Sequence, residues 1–129
     1  MAIRLQNNGF ANVTAALLAY TSIFKYMQWG TGADPGASSN VLGSTTGTTE
    51  GRTTGTVSQQ TTSVTNDTLQ VQGIITAAGT RAITELGLFD AAGSGSPPTG
   101  GNMCWYASFT VVNLSNGDSI QFTAQTKFQ

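Results

Sequence analysis

Residues 82–91, AITELGLFDA, decide how this chain folds. Read with a period of two, the stretch places Ile83, Gly87 and Phe89 on one side and Ala82, Leu86 and Leu88 on the other. Both sets are largely apolar, whereas a strand with one face in water shows one clean polar set. The stretch therefore predicts the central strand of a β-sheet domain, covered on both faces. Glu85 sits in its midst, and an unpaired buried carboxylate costs several kcal/mol, on the order of a full desolvation penalty. It must meet a cation or N–H donors. Arg52 or Arg81 is the expected partner, in a structural ion pair that fixes strand register.

Moving outward, TLQVQGIITA (residues 68–77) puts Leu69, Val71, Ile75 and Ala77 on one face. The short connection Ala78-Gly79-Thr80 predicts a hairpin between this strand and the central one. Met103–Val111 alternates as Met103, Trp105, Ala107, Phe109 and Val111 against Cys104, Tyr106, Ser108 and Thr110. After a turn at Asn116–Asp118, Ser119–Phe128 sets Ile120, Phe122, Ala124 and Phe128 against Gln121, Thr123, Gln125 and Lys127. Ile23–Trp29 and the polar Val57–Thr65 read as further strands. Asn7 or Asn8 is the expected cap of a helix over Phe10–Thr21, whose Phe10, Val13, Leu17 and Leu18 form an apolar stripe. That helix covers an open side of the sheet or docks on a neighbouring subunit. The fold class expected is all-β: one domain over residues 1–129, an antiparallel, jelly-roll-like β-sandwich with a short N-terminal helix.

Residues 43–56, GSTTGTTEGRTTGT, contain nothing apolar to bury. Two readings stand. In one the stretch is a mobile surface loop, since no burial offsets its ordering entropy. In the other it is an extended arm that adds backbone hydrogen bonds to an adjacent subunit's sheet edge, with Thr45, Thr46, Thr48, Thr49, Glu50, Arg52, Thr53 and Thr54 as its contact residues.

Composition narrows the function. Charged residues make up 9% of the 129, against roughly 25% in typical soluble proteins, and the net charge is −1. With no cluster of Lys or Arg, neither nucleic acid nor an anionic membrane surface is an expected partner. So little charge suits a chain that lives packed against other subunits. The chain has no histidine and a single cysteine, Cys104. Histidine-based triads, histidine-ligated metals and an intrachain disulfide are therefore absent from the chemistry available to it. The opening MAIRLQNNGF lacks the apolar core of a signal peptide, and no apolar run approaches the length of a membrane span. Asp34, Glu50, Asp67, Glu85, Asp90 and Asp118 are widely spaced, several in turns where Asp is favoured. No catalytic motif and no cofactor-binding motif occurs, so no enzyme, metal or cofactor is expected.

The order of these features resembles small virion proteins of tailed bacteriophages, namely capsid decoration (cement) proteins and related domains of tail-fibre and tail-tip proteins. The residues that carry the likeness are Trp29–Gly32 (WGTG) with the Asp34-Pro35 turn, the Thr-rich stretch with Arg52, and TLQVQGIITA. Ile83–Ala91 (ITELGLFDA), the aromatic strand Gly101–Tyr106 (GNMCWY), and Asn113–Thr123 (NLSNGDSIQFT) complete the set. The resemblance implies a β-sandwich homo-oligomer, a trimer above all, that binds the major capsid protein on the virion after synthesis in the bacterial host cytoplasm. The alternative it leaves open is a tail-fibre, baseplate or neck module for attachment or host-glycan recognition. Trp29, Trp105 and Tyr106 would then be the sugar-stacking residues.

Overall fold

Seven antiparallel strands are seen in a computed structural model that describes residues 1–20 and 24–128. They are β1 (Tyr26–Gly30), β2 (Thr53–Thr54), β3 (Thr56–Gln60), β4 (Thr68–Thr76), β5 (Arg81–Phe89), β6 (Met103–Leu114) and β7 (Ser119–Lys127). One sheet has the order β2-β1-β5-β6 and the other β3-β4-β7. Met27, Trp29, Ile83, Leu86 and Leu88 of the first sheet meet Val71, Ile75 and Ala77 of the second in one buried core. The molecule is an all-β sandwich with one short helix, as the sequence implies.

The central strand is β5, paired with β1 and β6. Its faces do not divide as simple alternation predicts. Pairing with β6 is interrupted between Ile83 and Glu85, and Ile83 shares the sandwich interior with Leu86 and Leu88. A local irregularity of this kind changes which residues face inward. On β6, Trp105 and Phe109 pack against the core, Val111 and Val112 are exposed, and Leu114 is buried again. Val111 thus does not share the inward placement of Trp105 and Phe109, with which alternation groups it.

The expected β4–β5 hairpin is also corrected. The 77–80 connection carries the chain from one sheet to the other, because β4 already has β3 and β7 as neighbours and β5 has β1 and β6. Ala77 instead continues the bonding toward β7, donating to Asp118 O at 2.8 Å and accepting from Gly117 N at 2.8 Å. The turn at residues 115–118 is a second crossover, from β6 to β7.

Helix α1 spans Asn7–Ala19, earlier than expected, and packs against β3 and β4. Its cap position is Gln6, with no side-chain cap bond, so neither Asn7 nor Asn8 serves. Thr21 and Ile23 lie outside the described residues. What seats the helix is polar. Thr14, fully buried, donates to Asn66 O at 2.6 Å, and Gln59 Nε2 donates to Thr14 Oγ1 at 2.8 Å. Beneath this contact the buried Asp67 carboxylate accepts from the N–H groups of Thr62, Ser63 and Val64 and from the hydroxyls of Thr62 and Thr68. Burial alone would raise its pKa. The N–H groups of Thr62 and Val64, with the two hydroxyls, outweigh that and hold it well below the usual carboxylate range.

A folded-state pKa below the unfolded value of about 3.9 stabilises the fold above that pH, and the stabilisation is lost as pH falls through the folded value. Asp67→Asn is accordingly expected to lower the urea midpoint at neutral pH. The gap from wild type should close only below about pH 4, where the unfolded-state carboxyl protonates.

Candidate functional site: two buried carboxylates and an open flank

The outer face of the four-stranded sheet is set by β1–β5 register: Tyr26 lies opposite Phe89, Gln28 opposite Gly87, and Gly30 opposite Glu85. This face lies under chain segments rather than in water. Glu85, fully buried, accepts hydrogen bonds from Gly32 N and Ser44 N at Oε1 and from Gly43 N at Oε2, each 2.9 Å. A Cβ on Gly30 would lie 2.4 Å from Glu85 Oε1 and 2.5 Å from Ser44 O, and one on Gly32 2.3 Å from Ser44 N. The glycines of WGTG are there because the carboxylate and the returning chain rest directly on their backbone.

The expected ion pair of Glu85 with Arg52 or Arg81 is replaced by this set of backbone donors. Arg81 instead pairs with Glu50, Nη2 to Oε1 at 2.9 Å and Nε to Oε1 at 2.9 Å. Glu50 Oε1 also accepts from Ala78 N (2.8 Å), and Oε2 from Trp29 Nε1 (3.1 Å) and Thr49 N (3.0 Å). Burial would push the Glu50 pKa up, but the Ala78 N–H, the Arg81 guanidinium and the Thr49 N–H outweigh it and hold the carboxyl at about 2.

Arg52 lies over the Phe89 ring, 3.6 Å from its centroid. Its Nε donates to Gln28 Oε1 at 2.8 Å and its Nη1 to the carbonyls of Ala91 and Gly100, each at 2.8 Å. Gln28 Nε2 in turn donates to Pro98 O at 3.2 Å. Arg52 thus ties the Thr-rich stretch to the 91–102 loop. Both cover the same sheet face.

The Thr-rich stretch is therefore ordered on its own domain, neither a loose loop nor an arm extended away from it. Thr48 is buried, Thr53 and Thr54 pair with Met27 and Tyr26, and Thr45 is half-buried. Thr46, Thr49 and Thr54 keep outward exposure. Even so, the Thr46 carbonyl accepts from Thr31 Oγ1 and the Thr49 hydroxyl from Arg81 Nη2. Strand addition does occur, to the chain's own β1.

Trp29, 1% exposed, is a core residue and offers no stacking surface. Trp105 and Tyr106 are consecutive on β6 and point to opposite faces. Trp105 packs on Phe24 with ring centroids 4.2 Å apart. Tyr106 Oη is the one buried side-chain polar atom among the described residues without a hydrogen-bond partner. Burial first, then the neighbouring Glu85 carboxyl group, push its pKa up to about 12. The three aromatics form no common sugar-binding platform. The Cys104 thiol is exposed and its pKa is raised, by partial burial and then by Asp90. Among the described residues no group of three His, Cys, Asp or Glu could hold a metal ion, and no helix is long and apolar enough to cross a membrane.

The sandwich's two flanks differ. On one, the chain passes from β2 to β3 through buried Gly55, whose N–H donates to Lys25 O at 2.7 Å, and so joins the sheets. On the other, β6 and β7 each end their sheet with an edge that pairs with no further strand among the described residues. This flank narrows where Phe109 meets Phe122, centroids 6.0 Å apart. It widens at its far end into a cavity of about 310 Å³ lined by Leu86, Leu88, Trp105, Ala107, Ala124 and Thr126. Sequence reading placed these strands but could not place their edges, because partner order is a long-range property. No protein-family model, curated protein or solved structure matches the chain.

Proposed function

We propose that the protein is a structural component of a bacteriophage virion that decorates the capsid as a homo-oligomer, binding across neighbouring major capsid subunits and stabilising the shell. The observation that carries this reading is the β6 edge. It runs for twelve residues, MCWYASFTVVNL, without a charge or a proline, and it exposes Val111 and Val112. Edges of free monomers are usually guarded by charge, proline or brevity. A β-domain with so little charge and so long an unguarded edge suits a protein whose working state is packed among neighbours. The resemblance carried by WGTG and ITELGLFDA supplies the kind of assembly. The arm, held by Glu85, Glu50 and Arg52, acts in this reading as a rigid cover that presents its outward threonines. Capsid contacts would then come from preformed surfaces, with little ordering cost on binding.

Quantitative mass spectrometry of purified virions tests the reading. A copy number comparable to that of the major capsid protein is expected, together with earlier heat-induced genome release from particles lacking the chain. A handful of copies per particle would place the protein in the tail instead.

A further inference from the structure

We infer that the segment preceding α1, Met1–Gln6, docks as an added β-strand into the open β6–β7 flank of a second copy of this chain. The inference rests on the homo-oligomeric part of the proposed function and is independent of the capsid. Two unfilled surfaces carry it. The first is the flank: two unpaired strand edges, no charge along β6, and only Lys127 along β7. Its apolar cavity lies between the sheets at the end where Leu88, Trp105 and Ala124 sit.

The second surface is the segment itself. MAIRLQ alternates apolar Met1, Ile3 and Leu5 with Ala2, Arg4 and Gln6, the pattern of a strand with one face to bury. It forms no helix or strand in the single chain, and all three apolar residues are exposed, Ile3 at 87%. Six extended residues reach about 20 Å, enough to pair with about half of the twelve-residue β6 edge.

An added strand answers both needs: its backbone pairs with a sheet edge, and its alternate side chains fill the gap between the sheets. The occupant is a second copy because the single chain leaves its own segment and its own flank unfilled together. A segment-to-flank contact is heterologous, so it closes into a ring or, if exchanged reciprocally, a two-fold dimer.

Sedimentation of the 129-residue chain and two variants tests this. Ile3→Asp/Leu5→Asp alters only exposed side chains of the segment. Ala107→Lys places a charge at the exposed lip of the cavity. Wild type is expected to sediment as an oligomer and each variant as a monomer. An equimolar mixture of the two variants should restore a two-chain species, since one retains the flank and the other the segment. Persistence of the oligomer in either variant would overturn the inference while leaving homo-oligomerisation intact, because the copies would then meet elsewhere. Monomeric wild type at every soluble concentration would overturn both. A mixture that stays monomeric while wild type associates would also overturn the segment-to-flank contact. So would a monomeric wild type whose β6 amides lose exchange protection in the segment variant, which would mean docking on its own sheet.

Discussion

Glu85→Gln is expected to destabilise the protein by about 1–3 kcal/mol, and Glu85→Ala by about 4 kcal/mol or more, in urea unfolding followed by tryptophan fluorescence. The difference follows from geometry. In the glutamine variant one oxygen still accepts from Gly32 and Ser44, but the amide NH₂ then faces the Gly43 N–H, donor against donor. In the alanine variant three backbone N–H groups lose their acceptor at once, and a fully buried side chain leaves a void. Loss should be local before it is global. Amides of residues 31–50 should lose more protection in Glu85→Gln than those of β4 and β7, which fall only by the global loss.

Glu50→Gln is expected to cost about 3 kcal/mol at neutral pH, the lower end of the loss when one partner of a buried pair is removed. Glu50 joins the arm to Trp29, to Arg81 and to the β4–β5 crossover at Ala78, so three parts of the fold depend on one side chain. The pH dependence has a definite sign. The folded-state value of about 2 lies below an unfolded value of about 4.3, so the stabilisation is complete above roughly pH 5 and lost as pH falls toward 2. Urea midpoints of wild type and Glu50→Gln should thus converge between those limits. A gap that stayed constant on acidification would assign the loss to packing rather than to the charge.

The strands were legible because their signal is local. Leu69, Val71 and Ile75, or Ile120, Phe122 and Ala124, announce a face within nine residues, and each stands where alternation puts it. That Glu85 needed answering was legible too. Its answer was not, because Gly43 and Ser44 lie more than forty positions away and use only their backbone, which carries no side-chain signature. For the same reason the Thr-rich stretch read as unanchored. Its anchors are polar and few, Glu50 and Arg52 among them, and hydropathy registers nothing there. The 78–80 connection misled because a short glycine turn looks the same whether it pairs its strands or carries them to opposite sheets; only the competition of β3 and β7 for β4 separates the cases. Trp29 showed an aromatic at a strand end without showing which side it faced. The open flank was beyond sequence reading altogether, since it is defined by what β6 and β7 do not pair with.

This chain secures its threonine-rich stretch on its own sheet through the Glu85 and Glu50 carboxylates. Residue-resolved hydrogen exchange of the isolated wild-type protein tests it most directly. The amides of Gly32, Gly43 and Ser44 are expected to exchange only on global unfolding, as slowly as the amides of β5. Exchange of those three amides at the rate of an unstructured chain, with β5 still protected, would contradict it.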